Sequence, residues 1–460
     1  MTYKNNKMFW ALAIAMCITQ ASEARAIQTA AASVIRATDS LSILAAEQIN
    51  PTTIDLLLSN QKRISFDFYG DNIFRVFFDP NGGIIRDPQA KPEAKILVDN
   101  PRKAVKGLKL SNANDKVLIE SERIRIEISK GNTLFQITDL KSGKTVLQSL
   151  SAIQFGDKKS SINLKEQEDE YFFGGGVQNG RFTHKGKAIL IENTNSWTDG
   201  GVASPTPFYW SNKGYAVMFY TFKKGRYDFG AKEKGTVTLS HDSDYFDAFF
   251  MVDPDAVSLL NDFYQLTGNP VLLPKFGFYQ GHLNAYNRDY WKEDEKGILF
   301  EDGKRYKESQ KDKTGIRESL NGELNNYQFS ARAVIDRYKN HDMPLGWLLP
   351  NDGYGAGYGQ TKTLDGNIAN LKSLGDYARE KGVEIGLWTQ SDLHPKDSID
   401  ALLQRDIVKE VRDAGVRVLK TDVAWVGAGY SFGLNGVSDV GHIIPYYGKD
   451  ARPFIISLDG

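Results

Sequence analysis

Val383-Glu384-Ile385-Gly386-Leu387-Trp388-Thr389 and Val416-Arg417-Val418-Leu419-Lys420-Thr421-Asp422 are two short apolar runs, each following a helical pattern that ends in glycine. Before the first run, Ile368, Leu371, Leu374 and Ala378 fall on one stripe of a helix over 367–381, and Gly382 supplies its stop. Before the second, Leu402, Leu403, Ile407 and Val411 do the same over 398–414, and Gly415 closes it. Outward from this core the pattern repeats. Strands are expected at 276–283, 344–349 and 453–458, a helix at 329–340, and a looser helix from Ser431 onward. Strands alternating with helices predict a parallel sheet.

A doubly wound sheet and a barrel both fit that succession. No glycine-rich phosphate turn follows any of these strands. Instead, polar and aromatic residues gather at the expected C-terminal strand ends: Gln280 and His282, Asn351 and Asp352, Trp388 to Asp392, Asp422 and Trp425. Barrel enzymes carry their chemistry at those ends, so the barrel is favoured. A closed barrel takes eight strands and about 250 residues. The residues from about 270 onward offer five strands, and the sequence is expected to break off within the barrel.

Upstream, from about 60 to 265, the pattern is β. Residues 63–78 read as strand, turn and strand around Gly70-Asp71-Asn72. Val117, Ile119, Ile124, Ile126 and Ile128 alternate with charged residues, as in strands buried on one face. A hairpin is expected within 133–147, and further strands at 215–222 and 246–252. Many short strands with few helices predict a β-sandwich. The Ala- and Ser-rich stretch 27–60 is read as a short helix or linker.

The N-terminus carries Lys4 and Lys7, an apolar stretch from Met8 to Ile18 too short to span a bilayer, and Ala24-Arg25-Ala26. That order predicts a secretory signal cleaved after Ala26, and a secreted or periplasmic protein without a membrane span. The expected domains are thus a signal peptide at 1–26, a sandwich at 27–265 and a partial barrel at 266–460. Cys17 is the only cysteine, which removes disulfides, thiolate metal sites and a cysteine nucleophile from the mature chain. Lys plus Arg and Asp plus Glu balance at 57 each, giving no sign of a nucleic-acid or anionic-membrane partner. The 6 His residues show no metal-ligand spacing, and neither metal nor cofactor is expected.

Glycosidic cleavage uses two carboxyls. Candidates at strand ends are Asp352, Asp392, Asp422 and Asp459. Asp422, in Lys420-Thr421-Asp422-Val423-Ala424-Trp425, follows an apolar strand and has Trp425 as a wall; the competing reading is a structural capping residue. Asp352, in Pro350-Asn351-Asp352-Gly353-Tyr354, is equally a turn former beside Gly353. The charged stretch 284–328 carries Tyr286, Tyr290, Trp291 and Tyr306. An insertion of this length is more often functional than structural, and it is expected to cover substrate subsites.

From about residue 60 to 460 the chain resembles glycoside hydrolase family 31. The resemblance rests on Leu266-Thr267-Gly268-Asn269-Pro270, on Pro274-Lys275-Phe276-Gly277-Phe278, and on the segment Lys420 to Tyr430. That last segment departs from the Trp-x-Asp-Met-Asn-Glu of most members and resembles the subgroup acting on isomaltosyl, α-1,3/α-1,6 and cycloalternan-type glucans. The resemblance implies a galactose-mutarotase-like sandwich before a (β/α)8 barrel, and a retaining hydrolase or transferase acting on α-glucans. It implies Asp422 as nucleophile, Asp352 on the sugar hydroxyls, and Trp388 and Trp425 lining that subsite. It further implies that Phe172 to Gly180 is a loop reaching the pocket with Gln178, the alternative being a glycine-rich hairpin; Gln280 on the first barrel strand completes the expected contacts. The family's acid/base lies on a sixth strand, outside these 460 residues. The rival readings are a non-catalytic carbohydrate-binding fragment and a barrel enzyme using Lys420 as a Schiff base.

Overall fold

The computed structural model describes residues 41–86, 89, 96–156, 158–192, 194, 196, 198–284, 289–322, 326–350, 365–389, 407–421, 441–449 and 451–457. The expected leader lies outside them. Two compact units result, one holding the residues up to Pro92 with Val98–Leu266, the other Glu93–Leu97 with Thr267–Gly460. No helix among the described residues is long and apolar enough to cross a membrane.

The first unit is a sandwich. Its strands are β1 (Ile43–Asn50), β2 (Thr53–Leu58), β3 (Arg63–Phe68), β4 (Ile73–Phe78), β5 (Lys109–Asn112), β6 (Lys116–Glu120), β7 (Ile124–Ser129), β8 (Phe135–Asp139) and β9 (Lys144–Gln148). There follow β10 (Gln154–Gly156), β11 (Lys159–Lys165), β12 (Phe172–Gln178), β13 (Ala188–Ile191), β14 (Val202–Ser211), β15 (Tyr215–Phe219), β16 (Gly225–Phe229), β17 (Thr236–His241) and β18 (Phe246–Val252). One layer is an eight-stranded sheet in the order β1-β2-β3-β4-β18-β15-β14-β12. The five-stranded sheets β5-β6-β7-β8-β9 and β10-β11-β17-β16-β13 share one continuous apolar core with it. The alternation read in the sequence holds in β6 and β7, where Val117, Ile119, Ile124, Ile126 and Ile128 are buried. The expected helix or linker at 27–60 is corrected over 43–58, where β1 and β2 pair antiparallel. β1 lies at the sheet edge and shows most of its residues to solvent, so it carries no apolar alternation to read.

The central strands β4, β15 and β18 are buried on both faces. Helix α1 (Ala256–Thr267) lies against the outer face of the sheet, where Phe263 stacks on Phe208 at 4.2 Å and Gln265 donates to Tyr69 O. A charged pair is enclosed on that face. Arg75 forks onto Asp247 at 2.7 and 2.6 Å, within 5.5 Å of the rings of Phe77, Tyr220 and Phe249. Burial opposes the charge of Arg75, but Asp247 and Tyr69 outweigh it and bind the guanidinium proton more tightly than usual.

The second unit opens with a 3-10 turn, Lys275–Phe278, followed by β19 (Gln280–Asn284). The strand expected at 276–283 therefore starts later, because its first half coils. Next come β20 (Tyr290–Leu299), β21 (Arg305–Glu308) and β22 (Ile316–Arg317). The alternating part then runs α2 (Ala331–Asn340), β23 (Leu345–Pro350), α3 (Asp365–Glu380), β24 (Glu384–Thr389), α4 (Ile407–Arg412), β25 (Val418–Thr421) and β26 (Ile455–Ser457). Ser330 caps α2 by accepting from Ala333 N at 3.1 Å, and Gly382 takes φ 78° after α3, the conformation a helix stop requires. β19, β23, β24, β25 and β26 form a parallel sheet in that order. Each strand pairs with its successor and the order never reverses. This is the winding of a barrel wall, whereas a doubly wound sheet reverses at a switch point.

The segment between β19 and α2 folds as a small antiparallel sheet, β21-β20-β22. Trp291 stacks on Phe329 at 5.4 Å, and Tyr306 meets both Phe300 and Phe329 edge-on. Trp291 and Tyr306 thus pack within the module's own cluster of rings. A sheet this small needs an apolar centre of its own, and these rings provide it; Tyr286 lies outside the described residues. Within the module Glu318 is 7% exposed, and the indole N–H of Trp291 donates to its Oε1 at 3.0 Å.

Two predictions follow from this packing. Asp247→Ala leaves Arg75 buried without its counter-charge and is expected to cost about 3–5 kcal/mol. Denaturant unfolding of the chain measures it, and the double variant Arg75→Met/Asp247→Leu should recover most of the loss. Burial pushes the Glu318 carboxyl up to about 7, above its ordinary 4.5, against the pull of Trp291. Because the folded value is raised, the stability that Glu318 contributes is present below about 4.5 and lost as pH rises through about 7. Hydrogen exchange of β20 to β22, corrected for intrinsic rate, should show more opening at pH 8 than at pH 5. In Glu318→Gln that difference should shrink, and the comparison with the parent removes the contributions of other groups.

Candidate functional site

The two faces of the parallel sheet are both apolar and serve different partners. Leu348, Ile385, Leu387, Leu419 and Ile455 pack with the helix residues Ile335, Leu371, Leu374, Ala378 and Val411. Trp347, Leu349, Trp388, Val418 and Ile456 lie on the other face, with Phe276 and Phe454. A sheet buried on both faces is what a filled barrel interior requires.

Glycine makes room on that inner face. A Cβ on Gly281 would lie 2.0 Å from the indole of Trp347, so only a bare backbone lets that ring cross β19. Trp347 meets Phe454 edge-on at 5.4 Å, closing the end of the interior where the strands begin.

The register then gives a layer near the C-terminal ends. Trp388 lies opposite Lys420, and Lys420 opposite Ile456. Since Val418 belongs to the inner face and Leu419 to the helix-facing one, Lys420 shares the face of Val418 and Trp388. Trp388 is 2% exposed and Lys420 4%. The strand that ends at Thr421 thus carries the inner layer up to the residue preceding Asp422 in the chain. In the sequence Lys420 stands out only as a rival nucleophile; counting twos from Val418 gives its place in this layer.

Of the expected site residues, Asp352, Asp422 and Trp425 lie outside the described residues, as do Asp392 and Asp459. Trp388 occupies the inner layer just described. Gln280 requires a correction. It is the first residue of β19, pairing with Leu345 at the start of β23, and so stands at the opposite end of the sheet from the C-terminal face. Asn284, at the far end of the strand, pairs with Pro350. His282 lies mid-strand, its Nδ1 at 3.0 Å from the Tyr338 hydroxyl, and burial lowers its pKa, so it does not stand at a strand end either.

Gln178 belongs to the first unit. Its amide donates to Gly175 O at 2.7 Å and to Leu190 O at 3.2 Å, tying down the end of β12. The segment Phe172 to Gly180, expected as a loop or hairpin, is over 172–178 a strand paired with β14 and irregular at Gly174 to Gln178. Among the described residues no group of His, Cys, Asp and Glu is arranged to hold a metal ion.

Residues 63–228 match the family described as the glycosyl hydrolase 31 N-terminal galactose mutarotase-like domain. The chain is similar to the α-xylosidase XylQ of Lactiplantibacillus pentosus, 24% identical over 226 residues that make up 46% of this chain and 28% of that protein. Among solved structures it resembles a dextranase of Flavobacterium johnsoniae complexed with isomaltotriose, with a TM-score of 0.70 at 13% identity over 91% of this chain and 55% of that one. It also resembles the cycloalternan-forming enzyme of Listeria monocytogenes in complex with a pentasaccharide, with a TM-score of 0.65 at 13% identity over 91% of this chain and 44% of that one. The chain thus spans little more than half the length of these relatives, or less. Its fold is theirs: a mutarotase-like sandwich of glycosyl hydrolase 31 type, followed by a parallel sheet wound as in part of a (β/α)8 barrel.

Proposed function

We propose that this chain belongs to a retaining enzyme of α-glucans, a hydrolase or a transferase, with Asp422 as nucleophile. The observation that carries the reading is the inner layer of Trp388, Lys420 and Ile456 at the C-terminal side of the parallel sheet, which leads in sequence directly into the Thr421-Asp422 step. Barrel chemistry is done at that end of the strands. The matched sandwich domain and the fold shared with a dextranase and a cycloalternan-forming enzyme support a glycosidic substrate.

In this reading the Asp422 carboxylate attacks C1 of an α-glucosyl unit. The bond from C1 to the bridging oxygen breaks, and that oxygen takes a proton from a second carboxyl. The resulting β-glucosyl ester is opened by water or by an acceptor sugar, which yields its proton to the same carboxyl, so the α-configuration is retained. Trp388 forms a rigid apolar wall, and Asp352 binds the hydroxyls of the sugar being transferred. Export follows the reading of residues 1–26 as a cleaved leader.

Three outcomes test the proposal. Asp422→Ala should lower kcat on isomaltose-type oligosaccharides by roughly four orders of magnitude or more, and azide should partly restore turnover by giving a β-glucosyl azide. An active Asp422→Ala enzyme would overturn the assignment. Asp352→Ala should lower kcat/KM at least about tenfold, or about 1.4 kcal/mol; a smaller change makes Asp352 a turn residue. N-terminal sequencing of the naturally produced protein should begin at Ile27, and an intact Met1 would refute export by cleavage.

A further inference from the structure

A second surface, on the sandwich, has features that suit sugar rings. Phe173 and Trp210 are partners across β12 and β14, and their rings stack at 5.6 Å with 24° between planes. The row continues from Trp210 to Phe208 at 6.2 Å and from Phe208 to Phe263 at 4.2 Å. At the other end Phe182, 92% exposed, stands edge-on to Phe173. These rings line a hollow of about 440 Å³, within the range of small-ligand sites.

The hollow also has polar members. Arg181 lines it, anchored by one guanidinium N–H donating to Ala188 O at 3.1 Å. His184 lines it too and is 3% exposed. Its Nε2 lies 2.9 Å from Gly174 O, and burial lowers its pKa, so the neutral ring must carry its hydrogen on Nε2. Nδ1 is then an acceptor, and it has no hydrogen-bond partner among the described residues. The other large hollow, about 760 Å³ over β11 and β17, differs. There Thr238 donates to Asn163, Asn163 to Ser151 and Ser161 to Gln154, so these polar groups are committed to one another.

We propose that the face formed by Phe182, Phe173 and Trp210 binds a saccharide chain, its pyranose C–H faces on the rings and its hydroxyl oxygens accepting from the Arg181 guanidinium. That the chain is an α-glucan rests on the function proposed above. Packing pyranose C–H faces on aromatic rings removes apolar sugar surface from water, while Arg181 supplies a donor for hydroxyls.

Calorimetric titration of the full chain with isomaltoheptaose, and separately with cellohexaose, tests this. Phe182→Ala and Trp210→Ala should each lower association at least about tenfold, equal to about 1.4 kcal/mol. Trp210→Phe should keep most of it, with thermal melting confirming that each variant is folded. Binding unchanged in both alanine variants, with or without sensitivity to Asp352→Ala, overturns the proposal. So does a self-associated protein that becomes monomeric in Phe182→Ala while binding sugar as before, since the face would then be a protein contact. Cellohexaose binding that these variants abolish, with no isomaltoheptaose binding, upholds the saccharide site and overturns the α-glucan reading.

Discussion

The guanidinium of Arg75, held by Asp247 and surrounded by aromatic rings, ties the two middle strands of the sandwich together. β4 and β18 run side by side, with Phe77 opposite Asp247 and Arg75 opposite Phe249. A slip of β18 by one residue against β4 would turn Asp247 into the apolar core on the other side and leave Arg75 without its partner. Hydrophobic pairing alone tolerates several registers in strands as rich in phenylalanine as these. A buried charge that must find one partner does not. With that register set, Phe249 packs on Tyr69, α1 covers the outer face, and the inner residues of both strands meet the two facing sheets.

The parallel sheet of the second unit follows a different rule. Its strands are placed by covering each face with a separate apolar layer, helices outside and large rings inside. Trp347, Phe454 and Phe276 fill the end where strands begin, so the open chemistry belongs to the other end. Trp388 and Lys420 occupy that other end, and both are nearly sealed from water. In the reaction proposed above, such a wall would hold the sugar within small tolerances, which is how positioning lowers a barrier.

Much of this was legible in the sequence because simple periods carried it. Isoleucines at every second position gave β6 and β7, and stripes ending at Gly382 and Gly415 gave α3 and the run into β25. Two readings failed for physical reasons. β1 is an exposed edge whose side chains mostly face water, so composition suggested a linker. The start of β19 was hidden because Lys275–Phe278 is as apolar as a strand yet coils into a 3-10 turn, and this moved Gln280 to the wrong end of the sheet. The motif around Asp422 was legible through resemblance, and only the strand leading to it is described.

The glycines of β12 have an effect beyond shaping the hollow beside them. β12 is the last strand of the eight-stranded sheet, and a free last strand is a template on which another chain can add. Gly174, Gly175 and Gly176 take φ of 104°, 76° and 80°, and the pairing with β14 shifts register there. A Cβ at Gly176 would stand 2.0 Å from Ser204 O, so other residues cannot replace it without moving the backbone. The outward row of N–H and C=O groups on this strand is therefore broken and twisted out of line. With Phe182 exposed close by, this edge is made a poor template for a further strand by three residues that have no side chain at all.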